Sequence, residues 1–508
     1  MVFSSSVFLL FFLPSVMILY HLPGVHNPHY KNFILLFFSI AFYFWGEPSF
    51  IVWIAVSIFV DWLCGLQIER TSSKRQKKGW LTLALSLHLA LLFFFKYISF
   101  LSQQLSGLIH TPTLNIALPI GISFFSFQMM SYVVDVYRAK VPCQKSIWKL
   151  TLYIMFFPQL IAGPIVRYED VAQQMDQRIV SLDDFYTGIS RFIIGLSKKV
   201  LLADILATVA DNLFLSAPYV ELPVFSAWIG AIAFSFQIYF DFSGYSDMAI
   251  GLARCFGFRF LENFSHPYIA TSVTEFWRRW HISLTGWFRD YVYIPLGGNR
   301  VKKPRWIFNL ACVWLLTGIW HGANWTFLLW GCIYFVLQLF EKLNLLPFSF
   351  PKPLRWLITM IVVCCCWVIF KADSVTCFFL SRCHVWKKRH TVRWQYHVLS
   401  SAVCTPICNF WYLLSSAGKL CSGISSESSI RSPCSQCRDR KELGFAFLIS
   451  TLPFDGYQWC VQSFHLFQFL RDFHEKEFSL FRSFYSFLRS FFGHRNSYGH
   501  RPICRPYR

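Results

Sequence analysis

Charge is what this chain has least of. Only 14% of its 508 residues are Asp, Glu, Lys or Arg, against about 25% in an ordinary soluble domain. With 55% of the residues hydrophobic, the deficit excludes a water-soluble globular fold and means that much of the surface faces lipid. The first 20 residues, "MVFSSSVFLLFFLPSVMILY", carry no charge. A secretory signal has a positive n-region and a small-residue cleavage site, so this stretch reads as a retained membrane segment, bent or ended near Pro14. No "GxSxG" elbow occurs, so a hydrolase-type serine nucleophile is not expected. Internal repeats are missing too, which weighs against the paired inverted halves of many transporters. The 17 cysteines show no paired spacing in the apolar part of the chain. "CCC" at 364–366 falls within an apolar run, where free thiols behave as small buried hydrophobes.

Long apolar runs are present in their place, at 33–44, 50–60, 81–95, 225–239, 327–339 and 356–370. Several approach the roughly 20 residues that span a bilayer as a helix, and the shorter ones suggest tilted or re-entrant pieces. The expectation is an all-α polytopic membrane protein with about ten membrane-embedded segments.

The net charge of +21 would suggest nucleic acid in a soluble protein. Here the basic residues gather in loops, so no nucleic-acid partner is expected and the charge reports topology. "ERTSSKRQKK" (69–78) carries five Lys or Arg and "YRAKVPCQKSIWK" (137–149) four. Two apolar stretches separate these loops. An even number of crossings puts both on the cytoplasmic side, and "WGEPS" (45–49) on the other.

The character changes after Asp373. Nine of the 17 cysteines fall in 376–508, with frequent Ser, Arg and His. The chain therefore divides into a membrane domain, 1–374, and an atypical basic Cys/Ser-rich tail, 375–508. The tail reads as a frame disruption just after "FKADS" (370–374), or as a disordered segment. "CSQC" (434–437) lacks a second pair at zinc-ribbon spacing, and no metal site is expected.

Polar residues interrupt the membrane domain in three places: "FFPQLIAGPIVRYED" (156–170), "YFDFSGYSDMAIG" (239–251), and a region running from "LENFSHPY" (261–268) to "LLTGIWHGANW" (315–325). Within the third lies "WRRWHISLTGWFRDYVYIPLGGNR" (277–300). Helical spacing puts Trp277, Trp280, Leu284, Trp287, Phe288 and Tyr291 on one face, with Arg278, Arg279, Thr285, Arg289 and Asp290 largely on the other. That pattern predicts one amphipathic helix at the bilayer interface with tryptophans at headgroup depth. His281 points to its apolar side.

His321 sits between two apolar runs, where an ionisable residue is costly and usually functional. Gly318, Gly322 and Ala323 let another backbone or a substrate approach it, and Trp320 and Trp325 are expected to wall it. An imidazole, with an ordinary pKa of about 6.5, takes a proton from a hydroxyl and returns one to a leaving group near neutral pH. Base-assisted acyl transfer from an activated thioester fits such a residue. Asp241, Ser243, Tyr245 and Asp247 add polar groups that orient a histidine, bind an acceptor hydroxyl, or pair with Arg278 or Arg279. A bundle-holding charge pair is the alternative for the two aspartates.

These motifs, with "YFWGEPSF", "LPIGISFFSFQMMSYVVDVYR" and "TEFWRRWHISLTGWFRDYVYIPLGGNR", resemble the membrane-bound O-acyltransferase family, in its bacterial alginate O-acetylation branch. The resemblance covers residues 1–374. It implies a ring of membrane helices around a central funnel, with re-entrant and interfacial pieces, in the cell inner membrane. It implies His321 as catalytic base with His281 as the second histidine of the site. Asp241, Ser243, Tyr245, Asp247, Arg278, Arg279, Trp280, Trp320, Gly322 and Asn324 become the supporting or substrate-binding set. No bound cofactor is expected. Acetyl-CoA or another acyl thioester is the implied donor, an extracytoplasmic polysaccharide the acceptor, and periplasmic acetylation proteins the partners, with membrane lipid around the bundle. Peptidoglycan, teichoic acid or lipopolysaccharide are alternative acceptors. A multi-pass transporter and an inactive degraded copy are the alternatives outside that activity.

Overall fold

The computed structural model describes residues 2–22, 27–109, 113–114, 116–216, 223–344 and 350–372. The tail expected at 375–508, with its Cys434 and Cys437, lies outside the described residues. Within them every regular element is helical, as lipid requires of a chain that must satisfy its backbone internally.

The first half contains α1 (Leu13–Tyr20), α2 (Pro28–Gly46), α3 (Ile51–Arg70), α4 (Lys74–Leu92), α5 (Ile98–Ile109), α6 (Ile122–Tyr137) and α7 (Ile147–Met155). Three single-turn helices follow: α8 (Phe157–Leu160), α9 (Tyr168–Val171) and α10 (Gln174–Gln177). The second half contains α11 (Leu182–Ser197), α12 (Asp204–Ser216), α13 (Val224–Cys255), α14 (Val273–Arg279), α15 (Ile282–Phe288), α16 (Lys303–His321), α17 (Trp325–Lys342) and α18 (Lys352–Lys371). π-Helical turns join several of them, among them Phe8–Phe12 before α1, Phe93–Tyr97 between α4 and α5, and Lys198–Ala203 between α11 and α12.

Each apolar run of the sequence lies within a helix. Among the described residues, four segments are both long and apolar enough to cross a membrane: Pro48–Arg70, Lys74–Ser106, Val224–Cys255 and Lys352–Lys371. This is fewer than the segments expected from the runs, because many of the remaining helices are short or carry polar side chains that the protein buries. Phe8–Tyr20 does not end at Pro14. That proline stands where the π turn Phe8–Phe12 runs on into α1.

Glycines set the closest helix contacts. A Cβ built on Gly195 would come 2.5 Å from Gly244 O, and one on Gly251 2.5 Å from Gly188 O. The pairs 188/251 and 195/244 run in opposite directions, so α11 and α13 pack antiparallel with their backbones touching, the small-residue packing of membrane helices. The same device joins α16 to α17, where a Cβ on Gly318 would lie 2.5 Å from Phe327 O. The glycine ahead of His321 thus admits a neighbouring backbone, that of α17.

Candidate active site

The stretch expected as one interfacial helix is broken. α14 and α15 have seven residues each, and the chain is extended at Trp280 and left-handed at His281, with φ +44°. Such a backbone at a non-glycine residue costs about 1–3 kcal/mol and gathers at functional sites. Trp277, Trp280, Leu284, Trp287 and Phe288 are all buried, so the tryptophans face the protein interior and not lipid. The indole of Trp277 packs edge-on against Trp314, Trp330 and Tyr334. Trp287 stacks on Phe127 at 3.8 Å and donates its N–H to Phe127 O at 3.0 Å. Helical spacing survives in each half, and a reversal at one residue leaves no trace in periodicity.

The N-terminus of α14 is held twice. Ser272 Oγ accepts from Glu275 N–H. From the far end of α17, the Glu341 carboxylate accepts from the N–H groups of Val273 and Thr274 at 2.6 and 2.8 Å. These are donors that a helix start leaves open.

His281 is 2% exposed. Its Nδ1 lies 3.1 Å from Asn263 Oδ1 and 3.4 Å from Ser283 Oγ. Asn263 Oδ1 also accepts from Ser283 Oγ at 2.9 Å and from Ser283 N–H, while its Nδ2 donates to Ser246 Oγ at 3.1 Å. The backbone N–H can meet only an acceptor, which fixes the carboxamide orientation. His281 therefore carries its proton on Nδ1 and donates it to Asn263. Nε2 is left as a buried lone pair without a partner among the described residues. The ring stands edge-on to Phe242 at 4.6 Å.

These bonds also join the three polar interruptions. Ile165 N–H of the first donates to Ser283 Oγ at 3.0 Å. Ser246 of the second meets Asn263, and Asn263 and His281 belong to the third. A further tie is the 2.7 Å ion pair between Arg167 and Asp290. Burial pushes the Asp290 carboxyl up, but hydrogen bonds from Arg289 and Arg167 outweigh it and hold it below its usual range.

His321 ends α16, the helix that starts beside the basic loop 300–305. Nineteen residues at 1.5 Å each put it about 27 Å along the axis from that loop. It is half-buried, and among the described residues neither ring nitrogen has a hydrogen-bond partner. Trp320, Phe370 and Trp330 stand edge-on to it at 4.9, 5.0 and 5.1 Å. Trp325 is not part of this wall: it is exposed, packs on Phe100 and reaches Gln104. Trp320 packs near both histidines, its ring centroid 4.9 Å from that of His321 and 6.0 Å from that of His281.

The supporting residues separate. Trp280 is buried against Phe264, Phe276 and Trp367. Gly322 lies against the Phe327 ring, and Asn324 caps α17 by accepting from Thr326 N–H. Ser243 is buried, and Tyr245 stacks on Phe3 at 4.8 Å. Asp241 pairs with Lys199 at 2.9 Å, and Asp247 with Arg191 and Lys198 at 2.9 and 2.5 Å. Neither aspartate pairs with Arg278 or Arg279, so their charges tie α13 to α11 and the π turn after it. Arg279 pairs with Glu275 at 2.9 Å. Arg278 is exposed and makes no ion pair among the described residues.

Sequence reasoning missed Asn263, Ser283 and Lys96. Asn263 stands in the quoted "LENFSHPY" without a chemistry of its own. Lys96 follows directly on the apolar run 81–95, and a lysine at that place was its signal. Its ammonium donates to Trp320 O and, at 3.1 Å, to Ser123 Oγ. No group of three or more His, Cys, Asp or Glu able to hold a metal occurs among the described residues.

The model of the MBOAT, membrane-bound O-acyltransferase family, matches residues 138–382. The chain is 44% identical to the probable alginate O-acetylase AlgI of Azotobacter vinelandii over 387 residues, covering 74% of this chain and 76% of that protein. It is 34% identical to the peptidoglycan O-acetyltransferase of Helicobacter pylori, with 74% and 78% covered. Against the teichoic acid D-alanyltransferase of Bacillus subtilis the identity is 29%, with 49% and 64% covered. Alginate, peptidoglycan and teichoic acid differ as the acceptors in these names while acyl transfer is common to them, and the chain belongs to the membrane-bound O-acyltransferase family as an O-acyltransferase.

Proposed function

We propose that this O-acyltransferase moves an acetyl group from a cytoplasmic thioester, acetyl-CoA in the first instance, to hydroxyls of an extracytoplasmic polysaccharide of the alginate type. His321 is the general base. The observation that carries the reading is a half-buried imidazole, without a hydrogen-bond partner among the described residues, at the end of a helix that begins in a basic loop. In the reaction a ring nitrogen of His321 takes the acceptor hydroxyl's proton as its oxygen bonds to the thioester carbonyl carbon. The tetrahedral intermediate then breaks its C–S bond, and the imidazolium returns the proton to the departing sulfur. His281, held by Asn263, presents a lone pair near Trp320 and supports the same site. The donor needs no covalent enzyme nucleophile, in keeping with the missing serine elbow.

Identity favours an alginate-type acceptor, 44% against 34% for the peptidoglycan relative. The inner membrane is the location this reading requires, with the bundle enclosing a funnel and with periplasmic acetylation proteins as partners. The test is O-acetyl content of surface polymer in cells carrying the wild-type chain or His321→Ala at equal membrane level. Loss of polymer acetate with His321→Ala supports the proposal. Unchanged acetate removes His321 as the base, and acetate on peptidoglycan alone removes the alginate-type acceptor.

A further inference from the structure

We infer that Lys96 and Tyr97 are positioning residues for the transfer, holding the last carbonyls of α16 so that the ring of His321 is fixed toward its substrates. The inference rests on His321 being the reacting histidine.

Helix α16 ends without a turn to continue it. Gly322 is extended at φ −179°, and the carbonyls of the final turn are groups a helix leaves open. Two of them are taken by neighbouring side chains of another helix. Tyr97 Oη donates to Ile319 O at 2.6 Å, and the Lys96 ammonium donates to Trp320 O. These carbonyls belong to the two residues immediately before His321, so their direction sets the Cα–Cβ vector of the imidazole.

Both donors come from the π turn Phe93–Tyr97. Such turns insert a residue into a helix, re-aim the side chains around it, and recur at functional sites. The choice of residue is also informative. Lys96 lies in one of the four segments apolar enough to cross a membrane, is half-buried, and pairs with no carboxylate among the described residues. A cation in such a place is expensive and is kept for a task. The negative end of a helix dipole is a fitting partner for it. The ammonium also lies 5.6 Å from the centre of the Trp320 ring, the side chain that packs near both histidines. Ser123 Oγ takes a second of its donors. Lys96 therefore grips both the backbone and the ring of the residue next to His321.

The test uses the full chain in proteoliposomes, with labelled acetyl-CoA as donor and deacetylated alginate as acceptor. Lys96→Met, Lys96→Arg, Tyr97→Phe and His321→Ala are compared with wild type. A positioning role predicts that Lys96→Met lowers kcat by about 10²-fold while KM for both substrates stays within about twofold. Lys96→Arg, which keeps charge and donors, restores kcat to within about tenfold of wild type. Tyr97→Phe lowers kcat by about five- to tenfold. Wild-type kcat in Lys96→Met overturns the inference, as does a change confined to KM. If Lys96→Met does not accumulate in membranes, Tyr97→Phe decides, and an unchanged kcat there overturns it. Full activity in His321→Ala would instead overturn the histidine reading itself, a result distinct from either lysine outcome.

Discussion

Asn263 Oδ1 and His281 Nδ1 lie 3.1 Å apart in a site where both side chains are nearly inaccessible to solvent. This contact sets which nitrogen of the imidazole is free, because Asn263 is itself fixed by Ser246 and by the backbone and hydroxyl of Ser283.

Removing the orienting group should therefore act on rate and not on binding. Asn263→Ala is expected to lower kcat for polymer acetylation roughly a hundredfold with little change in KM. Asn263→Asp, which keeps the acceptor oxygen, should lose less. Initial rates with acetyl-CoA and deacetylated alginate check both.

The histidines differ in surroundings and should differ in effect. His321→Ala is expected to abolish nearly all transfer, about 10³-fold or more, and His281→Ala most of it, within the range of about 10²–10⁴ for a positioned acid–base group. Immunoblots of membrane fractions must show equal protein. A His281→Ala variant with wild-type rates would reduce its role to packing.

The glycine contacts between α11 and α13 leave no room for a side chain. Gly195→Leu and Gly251→Leu should each destabilise the protein by about 1–3 kcal/mol or more through overpacking. In detergent this reads as a lowered melting temperature. Gly79→Ala, at a position with nothing within 4 Å of the added Cβ, is the neutral control.

Asp290 gives a pH-dependent contribution. Its carboxyl is held below the usual range in the folded protein. The stability it provides is present above the unfolded value of about 3.9 and is lost as pH falls through the lower folded one. The melting-temperature difference between wild type and Asp290→Asn should be constant from neutral pH down to about pH 4 and shrink below it. A difference independent of pH in that window would assign the effect to packing.

The helical class of the chain could be read from its apolar runs, and each run is found inside a helix. The two histidines were singled out because a titratable group near apolar sequence stands out by its cost. The break at His281 could not be read, because Trp277, Trp280, Leu284 and Trp287 keep helical spacing across it. Asp241 and Asp247 were read as chemistry or as pairs for Arg278 and Arg279. Their partners, Lys199, Arg191 and Lys198, come from a helix more than 40 residues away in sequence, and pairing at that distance depends on the Gly195–Gly244 packing. Asn263 was hidden for another reason. A neutral carboxamide in a polar loop carries no excess cost, and its importance appears only when Ser246, His281 and Ser283 converge on it.

Glu341 gives the architecture a mechanical side. By gripping the first amides of α14 with both oxygens, it makes the base of α17 a handle on the short segment that ends at Trp280 and His281. A change in how α17 packs against its neighbours would tug that segment along, so the seating of α17 becomes an input to turnover. Rates measured with Glu341→Gln beside wild type, at equal membrane level, would expose the linkage as a loss of turnover in the variant.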